Sequence, residues 1–307
     1  MTTVRSEEKG QKIVENHKGV PKSRLSYVIV KDIAEEGAFD EAVVSDPPFD
    51  AVVHTASPFH FNITDPKKDL LDPAVIGTIG ILKAIKAKAP EVKRVAITSS
   101  FASIINPKDH PKSYSEENWN PVTTDEALAD PVTAYRASKT FAEKAAWDFV
   151  KNEQPDFQLS TLCPPMVFGP VVHYLNSLEA INTSNARIRD MIQGKMKEKL
   201  APTGTFIWVD VRDLAMAHVK AIELSEAASK RFFVTAGYMS NKDIADCIRK
   251  NFPELRSQLP PEDSQSDMPK DVFKYDNSRS VDILGLKYGS LNDCVKDTVK
   301  SLQAIGA

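Results

Sequence analysis

Val92-Lys93-Arg94-Val95-Ala96-Ile97-Thr98-Ser99-Ser100 is a short apolar run that ends in three hydroxyls. A run of this length, rich in β-branched residues, reads as a strand covered on both faces, and strands of that kind belong to parallel sheets. Open α/β sheets bind their ligands beyond the carboxyl ends of the strands. The hydroxyls therefore stand where such a fold does its chemistry, although Thr98, Ser99 and Ser100 taken alone serve equally well as a helix cap or a turn.

Working outward, residues 25–30, 51–53, 157–162 and 231–235 are further compact apolar runs. Between them lie stretches of helical periodicity. Residues 69–89 put Leu70, Ala74, Gly77, Ile81 and Ile85 on one face and leave Lys83, Lys86 and Lys88 for solvent. Residues 131–152, 178–193, 211–223 and 241–251 read as helices too. Strands alternating with crossover helices give an α/β fold built on a doubly wound parallel sheet. Residues 1–165 read as the sheet domain, which also receives segments around 205–235, and 166–307 mainly as a smaller lobe. Residues 195–204 and 253–270, rich in Pro, Lys and polar side chains, read as surface loops, the second long enough to be mobile.

The charge balance excludes some partners. With a formal net charge of −3 and both signs dispersed, the chain has no basic face for nucleic acid or an anionic membrane. Cys163, Cys247 and Cys294 stand far apart without metal-ligand spacing, which suggests free thiols in a reducing compartment and no metal. The first nine residues are polar, and no apolar run is long enough to cross a bilayer. A cytoplasmic monomer or homodimer acting on a small molecule is expected.

The most pointed local signal is Tyr135-Arg136-Ala137-Ser138-Lys139. Four residues on a helix bring the phenol and the ammonium to one face. Tyrosine is a poor acid at neutral pH, its reference pKa being roughly 10, and a fixed cation is the natural way to make it useful. Such a pair alone is common on helix surfaces. Its position one helix downstream of the Thr98-Ser99-Ser100 strand end is what gives it weight.

Together with His54-Thr55-Ala56-Ser57-Pro58, Pro164-Pro165-Met166-Val167-Phe168-Gly169-Pro170 and Asp210-Val211-Arg212-Asp213, these segments resemble, in order and spacing, the extended short-chain dehydrogenase/reductases. The branch they are most similar to contains the dihydroflavonol, cinnamoyl-CoA and yeast methylglyoxal reductases. The resemblance runs over almost the whole chain. It implies a Rossmann-like sheet and reversible reduction of an aldehyde or ketone by NADPH, with Ser100 orienting the carbonyl, Tyr135 donating the proton, and Lys139 lowering the tyrosine pKa while bonding the nicotinamide ribose. It also implies that Thr55, Ala56 and Ser57 line the cofactor, that Pro164 and Val167 lie near the nicotinamide, and that Asp32 and Ile33 hold the adenine. Asp32 is equally suited to capping a helix that starts beside it.

Arg5 ends a short β-prone run, Thr2-Thr3-Val4, at the position that faces the adenosine ribose in this fold. An arginine there favours a 2′-phosphate, so Arg5 and Lys9 point to NADPH over NADH; a disordered terminal charge is the competing reading. Phe59, Phe101 and Met166 are candidates for an apolar substrate pocket, with His60, Phe61 and Phe168 beside them, though such residues are more often core. Asp210, Arg212 and Asp213 look like a structural polar knot.

One family feature is missing. No strand, Gly-x-x-Gly-x-x-Gly turn and helix precede Arg5, and Gly77-Thr78-Ile79-Gly80 lies inside a helix, where it reads as packing. The chain reads as starting at the family's second strand, about thirty to forty residues short. Loss of several backbone hydrogen bonds to phosphate, each on the order of 1.5–3 kcal/mol, would weaken cofactor binding ~1000-fold. Two sheet edges would also lack partners, so either the second strand closes on the fourth, the amino-terminal part is loose, or an upstream extension exists. A catalytically silent relative with a binding role is therefore an alternative, and a sugar-nucleotide epimerase or dehydratase a weaker one. Ile76 and Cys163 stand where many relatives carry asparagine, so no relay through that amide is assumed.

Overall fold

A computed structural model describes residues 1–57, 63–172, 175 and 178–306. The chain begins with β1 (Thr2–Val4), α1 (Glu7–Asn16), β2 (Tyr27–Ile29) and β3 (Ala51–His54). A π-helical turn (Lys67–Leu71) runs into α2 (Asp72–Lys88), followed by β4 (Arg94–Thr98), β5 (Ser113–Tyr114), α3 (Thr124–Ala129) and α4 (Pro131–Glu153). Then come β6 (Gln158–Cys163), β7 (Met166–Phe168), α5 (Thr183–Ile192), β8 (Ile207–Asp210), α6 (Val211–Glu223), β9 (Arg231–Phe233) and β10 (Gly237–Tyr238). The last elements are α7 (Asn241–Asn251), β11 (Lys274–Tyr275), α8 (Ser278–Asp282) and α9 (Leu291–Ala304). Two compact units result, one of Met1–Cys163, His218–Phe233 and Tyr275–Leu284, the other of Pro164–Ala217, Val234–Lys274 and Gly285–Ala307.

In the first unit, β4 sits inside a four-stranded sheet of order β3-β4-β6-β9, parallel throughout. Val95, Ala96 and Ile97 of β4 are buried, as is Leu159 of β6, which explains why these strands are continuously apolar rather than alternating. Each large aliphatic side chain so buried contributes roughly 1.5–3 kcal/mol. Helices α2 and α4 pack together, α4 through Ala146, which shares a core cluster with Ile81, Leu82 and Ile85 of α2. Asp130 starts α4 by accepting the Thr133 amide at 2.7 Å, with Pro131 in the first turn, where its missing N–H costs nothing.

Strands β1 and β2 form their own parallel pair. Gly10 is what allows α1 to lie on it, since a Cβ there would meet the Tyr27 ring at 2.3 Å. Of the outcomes expected for this edge, closure of β1 on β3 does not occur: a cavity of about 280 Å³ is lined by Thr2 and Thr3 on one side and Val52 and Val53 on the other. A Cβ at Gly77 would come within 3.0 Å of the Ile33 side chain, as its reading as helix packing requires. Helix α1 was not legible, because its apolar residues, Ile13 and Val14, are too few to mark a face.

The second unit has a three-stranded sheet of order β10-β8-β7 and a core shared by α5, α7 and α9. Helix α9 was not among the helices expected, although Leu291, Val295, Val299 and Leu302 recur at helical spacing. The surface loop expected at 253–270 carries some local structure of its own. Residues Pro253–Gln258 form a 3₁₀ turn, and Asp267 accepts the Thr203 amide at 2.7 Å and its hydroxyl at 2.5 Å.

Candidate active site

Strand β4 delivers Thr98, Ser99 and Ser100 to the carboxyl edge of the four-stranded sheet, and each hydroxyl has a separate task. The Thr98 hydroxyl bonds His218 Nε2 at 2.7 Å. Ser99 turns inward and donates to the Glu143 carboxylate at 2.5 Å. Ser100, in extended backbone, caps the short 3₁₀ turn Phe101–Ser103 by accepting the Ala102 amide at 3.1 Å, and remains half-buried.

From the other side, α4 presents Tyr135 and Lys139 one turn apart, both half-buried. The Ser100 hydroxyl hydrogen-bonds the Tyr135 phenol, which joins the end of β4 to the face of α4. Burial raises the tyrosine pKa and this bond pulls it back. For Lys139 burial acts alone, and brings the ammonium down to about 8. His54, at the end of β3, is held neutral, its pKa brought down to about 4 by burial and then by the Lys139 charge. Its ring meets Phe39 edge-on at 5.8 Å, and its Nε2 has no hydrogen-bond partner among the described residues.

The remaining predicted positions divide by unit. In the first, Thr55 is exposed, and Ala56 and Ser57 are half-buried just beyond β3. Arg5 is exposed at the end of β1, and Lys9 is exposed in the first turn of α1, where its amide donates to Ser6. Asp32 accepts the Ala34 amide at 2.8 Å, while Ile33 packs on α2. In the second unit, Met166 and Val167 lie in β7, which comes just after Pro164; Met166 packs on that unit's own core. Pro58, Phe59, His60 and Phe61 lie outside the described residues.

Phe101 corrects an expectation. It is only 3% exposed, stacked on Phe233 at 5.3 Å and edge-on to Tyr114 at 5.4 Å, so it is core and not pocket lining. Phe168 is likewise fully buried. The polar knot is present: Arg212 grips Asp210 through two nitrogens at 3.0 and 2.7 Å and reaches Asp297 at 2.7 Å, and Asp213 accepts the Gly289 amide.

Sequence reasoning missed Glu143 and Arg231, a buried ion pair with an N···O distance of 2.7 Å. Arg231 also donates to the Glu116 carbonyl and lies 3.7 Å from the centre of the Trp119 ring. The available signal was spacing, since Glu143 continues the Tyr135, Lys139 series by a further four residues.

The chain is similar to known proteins over most of its length. Residues 2–235 match the NAD dependent epimerase/dehydratase family. The chain is 50% identical over 303 residues to the ketoreductase azaE of Aspergillus niger, covering 98% of this chain and 89% of that protein. It is 35% identical over 309 residues to the NADPH-dependent methylglyoxal reductase GRE2 of Saccharomyces cerevisiae, covering 98% and 90%. Among solved structures it superimposes on Gre2 of Candida albicans in complex with NADPH at a TM-score of 0.89, with 36% identity and coverage of 99% of this chain and 91% of that one.

Proposed function

Because the chain belongs to the NAD dependent epimerase/dehydratase family, we infer that it reduces an aldehyde or ketone to an alcohol at the expense of NADPH. The observation that carries this reading is the Ser100–Tyr135 hydrogen bond with Lys139 one helical turn behind it. NADPH, when bound, supplies the hydride. Ser100 donates to the carbonyl oxygen and orients it. Tyr135 gives that oxygen its proton as charge develops, and Lys139, protonated below about pH 8, favours the phenolate that remains.

The fit to the cofactor is supported by donors without acceptors. Lys139 is a half-buried cation whose burial no anion offsets among the described residues, suited to the ribose hydroxyls. Thr55, Ala56 and Ser57 come directly after β3 at the sheet's carboxyl edge, and Asp32 and Ile33 come after β2, on the adenine side. Arg5 and Lys9 supply positive charge for a 2′-phosphate. In this reading the first unit binds the cofactor, Pro164 and Val167 are assigned to the nicotinamide, and Phe59 and Met166 to the substrate. The substrate is a small apolar carbonyl compound, and the protein acts in the cytoplasm as a monomer or homodimer; light scattering on the purified chain checks the last point. Among the described residues no helix is long and apolar enough to cross a membrane.

The test is direct. Purified protein is incubated with NADPH and a panel of short ketones, dicarbonyls and aromatic aldehydes, with NADPH consumption monitored optically and the alcohol identified by NMR. One alcohol formed per NADPH consumed is expected, with NADH markedly poorer. Absence of NADPH binding at millimolar concentration overturns the proposal, and binding without turnover of any carbonyl favours the silent-relative alternative. Arg5→Glu should narrow the preference for NADPH over NADH.

A further inference from the structure

The reading of Ser100, Tyr135 and Lys139 as the reacting centre leaves a buried carboxylate on the same helix without a role. Glu143 lies four residues beyond Lys139 and eight beyond Tyr135, so it falls on the helix face that carries both. Its side chain is 1% exposed. Oε2 accepts hydrogen bonds from the Ser99 hydroxyl at 2.5 Å and the Ser103 hydroxyl at 2.6 Å. Oε1 accepts from the Thr161 hydroxyl at 2.6 Å and from Arg231 Nε at 2.7 Å.

Ser99 and Ser103 bracket Ser100 in the chain. Ser103 closes the turn back on it, donating its amide to the Ser100 carbonyl at 2.9 Å. Arg231 grips the same turn, donating to the Ser103 hydroxyl at 2.9 Å and to its carbonyl at 3.2 Å. The turn that carries Ser100 is therefore held at both ends by one carboxylate, and that carboxylate is rooted in the helix that carries Tyr135 and Lys139.

We propose that Glu143, locked by Arg231, is a positioning residue: it fixes the 99–103 turn against α4 and so sets the Ser100 hydroxyl against the Tyr135 phenol. Stability alone is a poor explanation for this pair, because a buried ion pair is commonly replaced by apolar residues of similar volume at no cost. Apolar residues cannot hold two hydroxyls at 2.5 and 2.6 Å. That precision matters, since misplacing a reacting group by about 1 Å costs on the order of 100-fold in rate. Thr161 on β6 and Arg231 on β9 extend the hold to two neighbouring strands, so helix, turn and sheet meet at one carboxylate.

The experiment compares the full chain with Glu143→Met/Arg231→Met and with Ser99→Ala/Ser103→Ala. The first replaces the pair by apolar residues, and the second keeps the pair while cutting its tethers to the turn. Both should bind NADPH within about twofold of the parent and lose roughly 100-fold in kcat for carbonyl reduction. Both should also move the alkaline rise of alcohol oxidation to higher pH, because Tyr135 loses a hydrogen bond that now lowers its pKa. If the double methionine variant does not fold, the double alanine variant decides. A folded variant with unchanged kcat and an unshifted pH profile overturns the proposal. The proposal rests on the reacting-centre reading, and the two fail differently: a parent chain that reduces no carbonyl with NADPH removes that reading, whereas an active parent matched by its variants removes only the positioning role.

Discussion

Lys139 and Glu143 sit one turn apart on the same face of α4, and their surroundings could hardly differ more. Lys139 is half-buried with no anion to offset its charge among the described residues, so its pKa falls to about 8. Glu143 is buried more completely, and burial pushes its pKa up, yet the Arg231 charge and hydrogen bonds from Arg231, Ser103 and Ser99 outweigh that and hold it below the usual carboxylate value. An unsatisfied group invites a ligand, whereas a satisfied one holds a frame. On the proposed roles, reaction chemistry and rigidity are divided between adjacent turns of one helix.

The contrast is broken most strongly by exchanging consequences. Lys139→Met should lose about 10²–10⁴-fold in turnover, measured as steady-state NADPH oxidation, without loss of stability. The folded-state pKa of Lys139 lies below its ordinary 10.5, so its charge opposes folding at every pH below about 8 and the opposition fades towards 10.5. The variant's stability advantage should therefore shrink across that window in urea titrations.

Glu143→Ala should do the reverse first, costing about 3–5 kcal/mol in urea unfolding because Arg231 is left buried and unpaired. The sign with pH is also opposite: a lowered carboxylate pKa stabilises above its unfolded value of 4.5 and that contribution is lost as pH falls through the folded value. Phe101→Ala, beside the same turn, should cost a similar ~3–5 kcal/mol by opening a cavity against Phe233 and Tyr114. A smaller effect separates the two groups by titration. kcat/KM for carbonyl reduction should be flat below pH 8 and decline above it as Lys139 loses its proton, and Lys139→Arg should move that decline upward. An unmoved decline would assign it to another group.

Legibility in the sequence obeys the same division. Strands β4 and β6, which are buried on both faces, announce themselves as continuous apolar runs, and α4 through its cap and periodicity. Tyr135 and Lys139 were legible because their spacing has a chemical meaning by itself. Arg231 was not, since its partner is 88 residues away and only the packing of β9 beside β6 brings the two together. Phe101 misled because an aromatic beside a motif looks the same in sequence whether it faces a pocket or a core. The β1–β2 pair shows a further limit: short strands and a polar α1 carry little pattern, and Gly10 has meaning only once the Tyr27 ring is seen above it.

The measurement that bears most directly on the central claim is the pair of constants for Tyr135→Phe: NADPH affinity by fluorescence titration and kcat by NADPH oxidation with a carbonyl that the parent reduces. With the phenol as the proton donor, affinity should stay within about twofold of the parent while kcat falls by about 10²–10⁴-fold. A Tyr135→Phe protein that turns over at the parent's rate would contradict the account, because the substitution removes the one hydroxyl that the account joins to Ser100 as the acid.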